Sequence, residues 1–102
     1  MEMEILYEEP GNGYTGLSWE PTLEKWILHF VCKEWSLSTY KRYKKVAKQI
    51  KHRLKQRGIT EVYGLSETEK EIKFNLLLGA VNTGEIVRTS DGKLQYLLKG
   101  VL

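Results

Sequence analysis

The sequence predicts an α+β domain built from three helices with a β-hairpin at each end of the chain. Two turn-rich segments, Pro10-Gly11-Asn12-Gly13 and Ser90-Asp91-Gly92, each lie between short runs that suit strands. Between these hairpins, apolar residues recur at the three-to-four spacing of helices. A length of 102 residues, 41% of them hydrophobic, fits a single domain with one core. We expect an N-terminal hairpin over 1–17, a helical core over 18–82 and a C-terminal hairpin over 84–99.

The first predicted helix begins at Ser18 and runs to Trp35. Ser18 can cap its N-terminus, and Pro21 is tolerated in the first turn because no backbone donor is required there. One face of the segment is apolar at helical spacing, which predicts a helix central to the core. The residues on that face are Leu23, Trp26, Ile27, Phe30 and Val31.

The second predicted helix lies between Ser36-Leu37-Ser38-Thr39, which suits a helix cap, and Gly58, which can end a helix in the left-handed conformation. On a helical wheel, one sector of about 120 degrees is apolar and the opposite arc of roughly 200 degrees is positive. The apolar stripe is predicted to pack inward. It consists of Tyr40, Tyr43, Val46, Ala47, Ile50 and Leu54.

The third predicted helix starts at Ser66-Glu67-Thr68-Glu69, which matches the capping box. It should end near Asn82-Thr83-Gly84, before the strands of the C-terminal hairpin. A short strand or connection is expected over 59–63.

Charge is divided steeply along the chain. Residues 1–24 contain six glutamates and no lysine or arginine, whereas residues 41–57 contain nine lysines and arginines and no acid. Like charges three and four residues apart on a helix repel, so this face costs stability. Phosphates are its natural partner, because neutralising them releases condensed counterions. We therefore expect a basic protein that binds double-stranded DNA mainly through phosphate contacts. The contacts on this helix would be Lys41, Arg42, Lys44, Lys45, Lys48, Lys51, Arg53 and Lys55.

An alternative is that the acidic N-terminal hairpin, from this chain or a neighbouring subunit, neutralises the basic face. The chain would then be a protein-interaction module without a nucleic-acid role, binding a peptide or partner in a groove or at a sheet edge. A DNA-binding chain of this size could also form a homodimer to extend its footprint.

The C-terminal half resembles a winged-helix domain. A helix ending in Leu76-Leu77-Leu78 is followed by the strand segments 81–88 and 91–98, which are similar to the recognition helix and wing of small transcription factors and linker histones. The resemblance implies a regulatory or architectural role, with residues 66–79 entering the major groove. It implies DNA contacts from Lys70, Lys73 and Asn75 on that helix and from Arg88 and Lys93 on the wing.

Two further resemblances point to other classes of protein. The segment from Trp26 to Leu65 is similar to the core-binding helical domain of tyrosine recombinases, which also implies DNA contact. That likeness rests on Ser36-Leu37-Ser38-Thr39, Tyr43, Leu54 and Gly58-Ile59. Composition and short length resemble the small orphan proteins of archaeal viruses, which implies a location inside an infected host cell.

Catalytic and metal-binding chemistry is not indicated. His29 falls in the apolar first helix, His52 lies on the basic face, and Asp91 is explained as a turn residue. His29 and Cys32 would share a helix face, but zinc requires three or four ligands and no second His/Cys pair exists. The glycines form no phosphate-binding loop. We expect neither an enzyme nor a cofactor.

The sequence also predicts where the chain resides. No run of 18 apolar residues suits a membrane span, and the acidic N-terminus differs from a signal peptide. The lone cysteine agrees with a reducing compartment. We therefore expect a cytoplasmic protein that has no contact with membranes.

Overall fold

A six-stranded mixed sheet and two helices form the fold, in a computed structural model that describes residues 3–34 and 36–100. The elements are β1 (Met3–Glu9), β2 (Gly13–Glu20), β3 (Lys25–Cys32), α1 (Leu37–Gln56), β4 (Val62–Ser66), α2 (Glu69–Leu77), β5 (Ala80–Arg88) and β6 (Leu94–Gly100).

The strands lie in the order β1-β2-β3-β4-β6-β5. The first three form an antiparallel meander, β3 and β4 are parallel, and β4, β6 and β5 are again antiparallel. A parallel pair requires a crossover connection, which α1 supplies. Leu17, Leu28 and Val62 from three neighbouring strands form the core with Ile50 and Leu54 of α1. The helix thus covers one face of the sheet.

The inner side of α1 is apolar, and its buried residues confirm most of the predicted stripe. Tyr43 is the largest of them, and its hydroxyl donates to the Val31 carbonyl oxygen over 3.3 Å. A Cβ on Gly13 would collide with the Val31 carbonyl oxygen and would lie only 2.8 Å from the Tyr43 hydroxyl. Glycine is therefore required at the start of β2. The buried residues of α1 are Thr39, Tyr43, Ala47, Ile50 and Leu54, whereas Tyr40 and Val46 are half-buried.

Both ends of α1 confirm the predicted boundaries of the basic helix. The Ser36 side chain accepts a hydrogen bond from the Thr39 backbone N–H, which satisfies one of the free donors at the helix start. Gly58 has a φ of 81° and directs the chain out of the last turn. Ile59 then donates back to the Leu54 carbonyl, closing the helix end.

The predicted first helix, from Ser18 to Trp35, is wrong. Ser18 lies in β2 and pairs with Ile27 of β3, across a turn that follows Glu20. Ile27 and Leu28 are adjacent and both buried, which a strand achieves by placing them on opposite faces of the sheet. A continuous apolar run fits a strand buried on both faces as well as it fits a helix. Trp35 lies outside the described residues.

The third predicted helix is shorter than expected. Its N-cap is Thr68, whose side chain accepts from the Glu71 backbone N–H, so the cap lies two residues after Ser66. Ser66 ends β4 instead. Leu78 caps the C-terminus, and the segment expected to end this helix, 82–84, lies within β5.

The predicted winged-helix-like arrangement of three helices and two separate hairpins is therefore wrong. The pairs β1–β2 and β5–β6 are antiparallel hairpins, but both belong to the same sheet. Residues expected to form a helix supply the strand that joins the N-terminal hairpin to the rest. This arrangement leaves α1 as the long helix of the described chain, on one side of the sheet.

Candidate nucleic-acid interface

The outward surface of α1 carries a row of five exposed lysines, which we name the lysine ridge: Lys41, Lys44, Lys45, Lys48 and Lys55. They face water because the opposite side of the helix is held against the sheet. Fourteen residues separate the first from the last, a rise of about 21 Å along the axis. Within residues 3–34 and 36–100, no carboxylate forms an ion pair with any of the five. The ridge is therefore an uncompensated line of positive charge.

The three arginines of this segment lie on the side of α1 that faces β1, and we name them the arginine flank: Arg42, Arg53 and Arg57. Arg42 Nε lies 2.8 Å from Oε2 of Glu9, and Arg57 Nη1 lies 3.0 Å from Oε2 of Glu4. Arg53 follows Arg42 by about three helical turns and so shares its side. Two of the three arginines of the flank are thus paired with glutamates of β1, whereas no described carboxylate is paired with the lysine ridge.

Glu9 is the more strongly held of the two glutamates. Its carboxylate accepts hydrogen bonds from Arg42, from the Tyr7 hydroxyl and from the Asn12 amide. These donors favour the charged form, Arg42 most of all, and lower the pKa of Glu9 to about 2. This ion pair connects β1 to the first half of α1, and the Glu9 carboxylate stays charged throughout the physiological pH range.

Replacing Glu9 with glutamine should change how stability depends on pH. A carboxyl group with a folded pKa of about 2 and an ordinary value of 4.5 stabilises the fold above pH 4.5. That contribution is lost as the pH falls from 4.5 towards 2. Because Arg42 is half exposed, we expect the variant to lose only about 1 kcal/mol at pH 7. Urea unfolding at pH 7 and pH 3 measures this, and an equal loss at both pH values would contradict it.

Lys51 does not belong to the ridge. It is half-buried on the side of α1 towards α2, where its Nζ approaches Gly79, and burial lowers its pKa. A lysine in this position is less available to a phosphate than the exposed lysines beside it.

The lysines of α2 lie on the same face of the sheet as α1. The side-chain amide of Asn75 donates to Ser66 over 2.9 Å, which fixes α2 beside β4, and the Tyr40 hydroxyl donates to the Leu77 carbonyl. The Asn75 amide is thus engaged in hydrogen bonds within the fold. Lys70 and Lys73 are exposed, but Glu69 and Glu71 on the same helix offset their charge.

Arg88 and Lys93 are not brought to the lysine ridge. Arg88 donates to the Gly92 carbonyl over 2.8 Å, and Lys93 lies 3.4 Å from a carboxylate oxygen of Glu67. In the turn between them, the backbone N–H and the hydroxyl of Ser90 donate hydrogen bonds to the Glu20 carboxylate, which lies on the face of the sheet away from α1. The predicted wing contacts therefore lie apart from the basic helix.

A cleft at the C-terminal end of α1, which we name the aromatic cleft, brings together aromatic residues of β2, β3 and β4. Trp19 and Trp26 are partners across β2 and β3, and their rings meet edge to face with centroids 5.2 Å apart. Lys25 Nζ lies 4.5 Å from the centre of the Tyr63 ring on the far wall. The cleft has a volume of about 240 Å³. Two tryptophans on either side of a Pro-containing turn were a signal for such a hairpin pair.

His29 is engaged in the fold. His29 Nε2 lies 2.8 Å from the Ser18 hydroxyl, and burial lowers the pKa of His29, so its ring is neutral at pH 7. The expectation that His29 and Cys32 share a face is wrong, since residues three apart on a strand point to opposite faces. The described residues contain no group of three or more side chains placed to hold a metal ion.

Comparisons with other proteins add no further assignment. None of the described helices is sufficiently long and apolar to cross a bilayer. No family model, curated protein or solved structure with which the chain was compared matches it.

Proposed function

We propose that this chain binds double-stranded DNA through its phosphate backbone, with the lysine ridge of α1 as the principal contact. The observation that carries the proposal is that the ridge is exposed and forms no ion pair with the carboxylates of residues 3–34 and 36–100, while Arg42 and Arg57 beside it are paired with Glu9 and Glu4. Like charges three and four residues apart on a helix repel each other, and a bound polyanion would offset that cost.

The dimensions of the ridge support contact with a run of phosphates. Along about 21 Å, one strand of B-form DNA presents about six phosphates. Five lysine side chains with long flexible stems can reach several of these without an exact match in geometry. Such contacts position a protein but carry little sequence information. A regulatory or architectural role with limited base readout follows.

A salt titration tests the proposed contact. We expect the logarithm of the affinity for a blunt DNA duplex to fall against the logarithm of salt concentration with a slope near −4, because about four to five phosphates are neutralised. Fluorescence anisotropy with a labelled duplex provides the measurement. A slope near zero, or absence of binding at low salt, would contradict the proposal.

A role as a protein-interaction module is the second candidate, and one surface favours it. Ile86 and Tyr96 are partners across β5 and β6, and Leu94 lies on the same side of that hairpin. Ile86 and Leu94 are 60% and 58% exposed. Together with Tyr96 they form an apolar patch, whereas apolar residues that are exposed singly are common on protein surfaces. This surface would accept an apolar partner, including a second copy of the chain. Such binding would depend weakly on salt, so the same titration separates the two functions.

A further inference from the structure

We infer that the aromatic cleft at the C-terminal end of α1 binds one unpaired base, so that the chain recognises the junction between duplex and single-stranded DNA. The inference rests on the proposed function, since the duplex arm would lie on the lysine ridge. It adds a second type of contact, made with a base rather than with phosphate. The cleft is lined by Trp19, Glu24, Lys25, Trp26, Gly58, Ile59, Thr60, Glu61 and Tyr63.

The first step is the presence of an open stacking surface. Trp19 is 43% exposed and lies at the end of the β2–β3 pair, next to the turn that joins the two strands. Trp26 contacts it edge to face and also packs against the core, so the outer indole is supported from behind. Every base has a face that stacks on an aromatic ring, which is how proteins bind single strands. Trp19 is placed to provide such a surface.

The second step is the chemistry of the other groups in the cleft. Glu24 and Glu61 supply carboxylates, which repel phosphate but accept hydrogen bonds from an exocyclic amine such as that of cytosine. Glu61 is held in place by the Tyr63 hydroxyl at 3.2 Å and by Lys99 at 3.5 Å. Glu24 and Glu61 line the cleft together with Lys25, whereas the lysine ridge lies on the adjoining helix, so a base and the phosphate backbone would be bound by different groups. The cleft therefore favours cytosine over thymine.

The third step is continuity with the ridge. The cleft is lined in part by Gly58 and Ile59, which follow the end of α1. Lys55, the last lysine of the ridge, lies three residues before Gly58, about one helical turn away, so the cleft adjoins the end of the ridge. A volume of about 240 Å³ is below the range of about 300–1,000 Å³ for drug-sized ligands and suits a single planar base. A strand that leaves the ridge at Lys55 thus meets the cleft.

Three labelled DNA molecules test the inference on the full chain: a blunt duplex, the same duplex with a cytosine overhang, and the same duplex with a thymine overhang. We expect the cytosine overhang to bind roughly tenfold more tightly than the blunt duplex, and more tightly than the thymine overhang. Trp19→Ala should remove this gain and leave binding of the blunt duplex unchanged. Trp19→Phe should retain most of it, because phenylalanine still offers a stacking face.

A second variant keeps the test decisive if Trp19→Ala fails to fold. Glu24 is an exposed turn residue with a φ of 53°, which glycine adopts readily, so Glu24→Gly combined with Glu61→Gln should fold and lose the preference for cytosine. Equal affinity of the parent for blunt and overhanging duplexes, or an unchanged preference in these variants, would overturn the inference but not the proposed function. Binding of none of the three DNA molecules would overturn both the inference and the proposed function.

Discussion

Replacing Lys41, Lys45 and Lys48 together with glutamate is expected to weaken duplex binding by at least about 100-fold. Each substitution removes a phosphate contact and places a negative charge against the DNA backbone. The three side chains are exposed on the outer side of α1 and form no ion pair with the described carboxylates, so the fold should be retained. Anisotropy at low salt measures the affinity, and circular dichroism measures helix content and the melting temperature.

The matched control carries the same substitutions elsewhere on the surface. Lys33, Lys93 and Lys99 are exposed and lie outside α1, and their replacement by glutamate also changes the net charge from +3 to −3. Two of them form only surface ion pairs, whose loss costs little. If net charge alone drives binding, both triple variants will lose affinity equally, and the lysine ridge is not the interface.

Leu54→Ala is expected to destabilise the fold by about 3–4 kcal/mol. Leu54 is completely buried where α1 crosses the sheet and packs in one cluster with Leu17 and Leu28. Truncation removes apolar contacts and leaves a cavity that close-packed neighbours fill only in part. Chemical denaturation followed by circular dichroism measures the free energy of unfolding.

Leu37→Ala is the control for this prediction. Leu37 lies in the same helix, but its side chain is 68% exposed, so the variant should stay within about 0.5 kcal/mol of the parent. A loss at Leu54 no larger than at Leu37 would show that α1 is not docked on the sheet through this face. The fold would then not determine which side of α1, and so which lysines, faces the solvent.

The basic helix could be predicted because its signals are local. Ser36 caps it, Gly58 ends it, and an apolar stripe repeats along its length. These features lie within one segment and do not depend on the rest of the chain. The side of α1 that faces water follows directly from that stripe.

The strand that follows β2 could not be identified by the same means. The run from Trp26 to Val31 is apolar apart from His29, and a helix or a strand buried on both faces explains it equally well. Only pairing across the sheet, with Leu17 opposite Leu28, decides in favour of a strand. Strand formation here depends on residues distant in sequence.

The candidate site was only partly predictable for the same reason. The positive charge of α1 is visible in the sequence, but the division into an exposed lysine ridge and an arginine flank that is paired at Arg42 and Arg57 is not. That division depends on β1 lying beside α1, which brings Glu4 to Arg57 and Glu9 to Arg42. The aromatic cleft likewise requires the β2–β3 register that joins Trp19 to Trp26.

The most direct test compares the salt dependence of duplex binding for the parent and for the double variant Lys45→Gln/Lys48→Gln. If each lysine neutralises one phosphate, the slope should change from near −4 to about −2, since each contact contributes about −0.9. Glutamine keeps the length and helix propensity of the position while removing the charge. A slope near −4 in both proteins would contradict phosphate binding by the lysine ridge.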